Sequence, residues 1–139
     1  MKKVILVIIA IGFVATAATT KFVLSNKEMN STYALSDKYK ACIGACNACI
    51  AKCKKVEAMC AKEKKAEMAE CERLCKECII SCTEAVKLMK ADSKDAKSKC
   101  LECAEICDKC AAECDKFDMA DCKKCAKACR NAAKHCREM

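Results

Sequence analysis

The sequence has no proline and no tryptophan, and its only glycines are Gly12 and Gly44. Few residues therefore resist helix, while Ala, Lys, Glu, Met and Leu, which favour it, recur throughout, so the chain reads as all-α. Aromatic residues make up 4%, and the lysines alternate with Glu and Asp, as in "KKVEAMCAKEKKAEMAE", without aromatic interleaving. A nucleic-acid surface would want a one-signed stripe with stacking residues, so this pattern reads as a solvated outer face despite a formal net charge of +8. A single histidine, no nucleophile motif and no paired-carboxylate signal argue against an enzyme. What is abundant is cysteine. At 18 of 139 residues, its density points to a disulfide scaffold or a metal site within one modest domain.

The N-terminus differs from the rest. Lys2 and Lys3 precede an apolar run from Val4 to Ala18 that closes with the small residues Ala15, Thr16, Ala17 and Ala18. That is the layout of a secretory signal with a small-residue cleavage site, and it predicts export to a periplasmic or other extracytoplasmic space. Counting on past Lys21, which can snorkel, to Leu24 gives the alternative, an uncleaved anchor in the inner membrane. No cysteine lies near the junction, which argues against a lipid anchor. Cleavage removes two lysines and lowers the formal charge from +8 to +6. Residues 25–35, "SNKEMNSTYAL", are polar without a clear period. The expected layout is a signal peptide or anchor over 1–18, a linker over 19–35 and a metal-binding helical domain over 36–139.

From Ser36 onward the cysteines are periodic. At 100° per residue Cys42, Cys46, Cys49, Cys53 and Cys60 fall at about 0°, 40°, −20°, 20° and 0°, a single narrow stripe. The same C-x3-C-x2-C-x3-C quartet returns at Cys71, Cys75, Cys78 and Cys82, and again at Cys103, Cys107, Cys110 and Cys114, with Cys100 ahead of it. A fourth copy, Cys125, Cys129, Ala132 and Cys136, has Cys122 ahead and alanine in place of one thiol. Four quartets predict four helices. Ser36 is the expected cap of the first, Asp92 or Ser93 of the third, and Asp118 of the fourth. Between the first two nothing breaks the chain, and Cys60 and Cys71 would stay in phase on one unbroken helix. However, that helix would put Glu63, Lys64 and Glu67 on the sulfur stripe, where burial strands charge. A turn near Glu63 to Lys65 avoids this, and short connections then give an antiparallel up-down-up-down four-helix bundle with a cysteine-lined core. Ile43, Ile50, Ile79 and Leu101 sit to one side of the stripe as seams, with small residues such as Ala41, Ala45 and Ala48 on the other side allowing close approach.

A core of thiols in place of branched aliphatics is weakly stabilised, so packing alone does not account for the ladder. Disulfides suit an exported protein, but cysteines at i and i+4 point in parallel and would have to bridge between helices at almost every level. Each C-x3-C or C-x2-C step is, by contrast, a ready chelate. All-thiolate surroundings select Cu(I), zinc or iron–sulfur clusters. Zinc leaves a doubly negative four-thiolate unit, and filling the core with zinc would bury several. Cu(I) takes two or three thiolates, and bridging sulfurs bring the ratio towards one ion per thiolate with a net charge near zero. Cys100-x2-Cys103 resembles a ferredoxin run only superficially, since the loops and proline of that motif are missing. The candidate ligands are Cys42, Cys46, Cys49, Cys53, Cys60, Cys71, Cys75, Cys78, Cys82, Cys100, Cys103, Cys107, Cys110, Cys114, Cys122, Cys125, Cys129 and Cys136. Zinc or general soft-metal buffering of a metallothionein-like kind, and a disulfide-stapled scaffold, stay open as alternatives.

The repeats "CIGACNACIAKC", "CERLCKECIISC" and "CAEICDKCAAEC", with the exported N-terminus, resemble the bacterial copper storage proteins over about residues 36 to 139. The resemblance implies storage of multiple Cu(I) ions on core-facing cysteines by a homo-oligomer of bundles. It also implies release to copper enzymes or chaperones, or removal of toxic Cu(I), and loading through a bundle mouth carrying Met and His. Ala132 departs from the pattern and is expected to interrupt the ion chain locally, with Cys136 continuing it. Met59, Met68 and Met119 fall at the end where helices one and two, and three and four, are joined, either as soft ligands or as core filling. Tyr39, Met89 and His135 fall at the other end, with His135 turned about 100° from Cys136 and expected to be exposed, supporting its helix C-terminus.

Overall fold

The computed structural model describes residues 26–139, with side chains from Asp37 onward. The signal or anchor expected over 1–18 lies outside the described residues. Helix α1 runs Asn26–Glu63, a short 3-10 turn follows at Ala66–Met68, and α2 (Ala69–Lys90), α3 (Ala96–Cys114) and α4 (Ala120–Arg137) complete the chain. Among the described residues there is no strand, and no helix is long and apolar enough to cross a membrane.

The first helix starts at Asn26, ten residues before the cap expected at Ser36, so the linker expected over 19–35 is helical from Asn26 onward. The reason lies in composition. Residues 26–35 hold neither proline nor glycine, and Lys, Glu, Met, Ala and Leu among them carry the helix on. At its far end α1 stops where burial of charge requires. Lys64 turns into the left-handed region at φ 48 and its N–H donates to the Cys60 carbonyl at 2.9 Å, closing an αL motif. Glu63, Lys64 and Glu67 are all exposed as a result.

The α2–α3 connection is a Schellman turn. Asp92 sits at φ 46, its N–H donates to Met89 O at 3.1 Å, and the Ser93 N–H donates to Leu88 O at 3.0 Å. Of the two expected caps, Asp92 therefore ends α2, while the Ser93 hydroxyl accepts the Asp95 N–H at 3.2 Å in the turn leading into α3. Tyr39 of α1 donates its hydroxyl to Asp92 Oδ1 at 3.2 Å, which ties the first helix to this turn. The cap expected at Asp118 does not form. Its carboxylate pairs with Lys123, and Met119, in extended conformation, leads into α4 without a side-chain cap.

Each helix packs on its two neighbours, α1 on α2, α2 on α3, α3 on α4 and α4 back on α1, which closes the antiparallel up-down-up-down bundle. The buried set consists mainly of Cys and Ala. The larger apolar side chains are few: Val56, Leu74, Val86, Met68, Met89 and Tyr39. Ile43, Ile50 and Ile79 pack against the core edge as expected of seams; of the small residues expected beside the stripe Ala45 is buried while Ala41 and Ala48 are exposed, and Ala104, Ala111, Ala126 and Ala133 are buried on the other helices, letting backbones approach. Leu101 departs from the expectation, being 46% exposed. Cys100 sits about 60° to one side of Cys103, so Leu101 falls about 160° from Cys103, between the exposed Asp108 and Ala112 on the outer face of α3.

Candidate metal centre

All 18 cysteines are buried and none is disulfide-bonded. The antiparallel register brings their sulfurs into facing rows. Along α2 and α3 the pairs are Cys82–Cys103 at 3.4 Å, Cys78–Cys107 at 3.6 Å, Cys75–Cys110 at 3.7 Å and Cys71–Cys114 at 3.7 Å. Each step back along α2 is matched by an equal step forward along α3, and a helix repeating C-x3-C-x2-C-x3-C meets its copy this way only when the two run in opposite directions. The α1–α4 row reads Cys42–Cys136 at 3.6 Å, Cys49–Cys129 at 3.4 Å and Cys53–Cys125 at 3.5 Å. Cys49–Cys78 at 3.5 Å joins the rows, and Cys53–Cys110 at 4.0 Å crosses the axis diagonally. Within one helix, Cys49–Cys53, Cys103–Cys107 and Cys125–Cys129 stand 3.9 Å apart, one turn along the ladder.

The sulfurs form overlapping groups whose members lie within 4.8 Å of one another. Among them are Cys49/Cys78/Cys82/Cys107, Cys49/Cys53/Cys78/Cys129 and Cys53/Cys75/Cys110/Cys125, with four sulfurs each, and Cys42/Cys100/Cys136 and Cys46/Cys82/Cys103, with three. Two thiolates sharing one ion in trigonal geometry stand about 4.0 Å apart if the metal–sulfur bond is about 2.3 Å. The pairs described above need to open by only a few tenths of an ångström to take an ion. Such a core offers soft, dry sulfur donors of the kind that bind Cu(I) and other thiophilic ions.

The thiols also polarise one another. The Cys49 thiol is held below its ordinary range by hydrogen bonding with Cys107 first and then with Cys129, Cys53 and Cys78. Cys53 is pushed the other way, first by Cys110 and then by Cys125, Cys129 and Cys49. These thiols titrate as a coupled set, and a soft cation that binds them replaces their protons. Near the joined end, Cys71 is lowered to about 4 by Cys114 first and then Cys75. Beside it Cys60 is pushed up to about 11 and Cys122 to about 12, burial being the larger cause and the negative charge of Cys71 the next.

Ala132 is fully buried on the stripe, where a sulfur is missing as expected. The gap is spanned: Cys136 lies 3.6 Å from Cys42 and 3.7 Å from Cys46. Two further gaps escape the sequence reading. Val56 on α1 and Ala85 on α2 are both fully buried, in phase with the cysteines, where those helices contribute no sulfur. The phase of the wheel marks both positions, but small apolar residues on an inward stripe attract no notice. Met68 and Met89 are buried towards opposite ends of the core, while Met59 and Met119 pack partly buried against it. His135 is half-buried, with Nδ1 3.3 Å from a Glu138 carboxylate oxygen in the last turn of α4. The outer faces carry ion pairs such as Arg73 with Glu70 and Glu77, and Lys99 with Glu84 across the α2–α3 seam, consistent with a solvated exterior.

Residues 35–139 match the sequence model of Csp, the copper storage proteins. The chain belongs to the copper storage protein family. Solved structures agree. The Cu(I)-bound copper storage protein BsCsp3 is 41% identical, with a TM-score of 0.71 over 73% of this chain and 97% of that one. Apo Csp3 from Bacillus subtilis is 40% identical, with a TM-score of 0.67 over 72% and 96%. A protein from Nitrosospira multiformis is 31% identical, with a TM-score of 0.67 over 74% and 94%. No curated protein sequence matches the chain. The role that the family's description gives is copper storage.

Proposed function

We infer that the protein stores multiple Cu(I) ions on its core thiolates. The observation that carries this reading is the close approach of buried sulfurs from all four helices, many of them 3.4 to 4.0 Å apart, with none oxidised to a disulfide. As each thiol loses its proton it gains a monovalent ion, so a core filled near one ion per thiolate stays close to neutral, which a low-dielectric interior requires. Zinc at every level would accumulate two negative charges per ion in the same space.

Compartment, partners and assembly extend this reading. Lys2, Lys3 and the apolar run Val4–Ala18 support an exported protein that buffers copper outside the cytoplasm, or stays on the inner membrane if the run is retained. There the stored copper serves copper enzymes or chaperones, or is kept from doing damage, with several bundles associating into a homo-oligomer. Anaerobic titration of the fully reduced protein with Cu(I) against a competing chelator, after thiol counting, tests the central reading. Storage predicts saturation at well over four ions per chain. Saturation at four or fewer, or a low thiol count in freshly purified protein, contradicts it.

A further inference from the structure

One group in the ladder differs from the others in symmetry. Cys53, Cys75, Cys110 and Cys125 come one from each of the four helices and lie within 4.8 Å of one another. Cys53–Cys125 is 3.5 Å, Cys75–Cys110 3.7 Å and Cys53–Cys110 4.0 Å. A tetrahedral four-thiolate zinc site with bonds of about 2.3 Å has sulfur–sulfur edges of about 3.8 Å, in the middle of that range. Cys49/Cys78/Cys82/Cys107 and Cys49/Cys53/Cys78/Cys129, by contrast, each take two sulfurs from a single helix and so join only three helices.

We propose that this ring binds one divalent ion of the zinc class when the protein is free of copper. The ion ties all four helices together at the middle of a core that otherwise holds little large apolar surface. Its charge is the limiting factor, since four thiolates around a divalent ion leave two negative charges in the interior. Thiols outside the ring offset part of this. Cys129 lies 3.8 Å from Cys53 and 3.9 Å from Cys125, and Cys49 lies 3.9 Å from Cys53, so their S–H groups stand within reach of the ring thiolates. The same proximity restricts occupancy to one. A second divalent ion at Cys49/Cys78/Cys82/Cys107 would place another dianion one helical turn away. Copper displaces the ion by taking the same sulfurs in bridged, near-neutral form.

Cobalt(II) added to the reduced, full-length apo-protein under anaerobic conditions is the probe, because tetrahedral thiolate coordination gives intense visible d–d bands that octahedral aquo-cobalt lacks. The proposal predicts these bands with an end point at one ion per chain, bleaching on addition of zinc and then no zinc retention after Cu(I). It also predicts a rise in the melting temperature of the apo-protein with zinc. Cys75→Ser and Cys110→Ser, with helicity checked by circular dichroism, should lose the bands while still taking up several Cu(I) ions. Absence of tetrahedral bands in the wild-type protein, an end point of two or more, or bands that survive Cys75→Ser but vanish in Cys78→Ser would overturn it. Each of those results leaves the copper count unaffected, so failure here is distinct from failure of copper storage.

Discussion

Replacing Cys136 with alanine should remove more copper than one sulfur accounts for. Cys136 Sγ lies 3.6 Å from Cys42 and 3.7 Å from Cys46, and it completes the Cys42/Cys100/Cys136 group. Ala132 has already withdrawn the neighbouring sulfur on α4, so the variant has no thiol on that helix beyond Cys129. Cys46 retains Cys82 and Cys103 as partners, whereas Cys42 and Cys100 lose the third sulfur of their group. If each thiolate contributes about one ion, loss of a lone sulfur lowers capacity by about one, whereas loss of the whole terminal group lowers it by about three. The apo-protein should barely notice. Removing Sγ is comparable with removing one buried methylene, about 0.8 kcal/mol, or a fall of roughly 3 to 6 °C in Tm for a domain of this size. Anaerobic Cu(I) titration with a competing chelator, with native mass spectrometry of the loaded forms, measures the deficit. A deficit of one ion or none would show that Cys42 and Cys100 hold copper without Cys136, and would refute the view that it spans the Ala132 gap.

Other predictions follow from the same geometry. The stability of the reduced apo-protein should fall as pH rises above about 9. Unfolded thiols release their protons near that value while Cys60 holds its own to about 11 and Cys122 to about 12, so the folded state binds more protons in that window; urea melts from pH 8 to 11 that show a rising midpoint would contradict this. Copper-loaded protein should melt well above the apo form and fall back towards it on acidification with a chelator present, as protons reclaim the thiolates, and differential scanning calorimetry reads this directly. Lys64→Gly should raise the apo-protein Tm by a few degrees, since a left-handed lysine costs about 1 kcal/mol that glycine does not. Tyr39→Phe should lower it by a similar amount through loss of the hydroxyl bond to Asp92, worth roughly 1 kcal/mol.

The parts of this fold visible in the sequence are those set by period and by charge. The cysteine phase placed the stripe inward on every helix, and the unfavourable burial of Glu63, Lys64 and Glu67 located the first turn. Terminal chemistry was less legible. Asp118 had a competing partner in Lys123, and Ser36 looked like a cap only because the preceding residues, though polar, lack an amphipathic period. Leu101 reads as a seam only when counted from Cys100, which itself lies about 60° off Cys103; counted from the rest of the α3 stripe it points outward. The three sulfur gaps differ in the same way. Ala132 was visible as a break in a quartet, while Val56 and Ala85 fall outside the quartets and needed the interhelical register to be seen.

The decisive measurement is anomalous diffraction at the copper edge from crystals of the Cu(I)-loaded protein. Copper peaks should line the bundle axis, each within bonding distance of two or three cysteine sulfurs drawn from different helices or successive turns. Copper confined to surface carboxylates, methionines or His135, with the core sulfurs empty or joined as disulfides, would contradict the account.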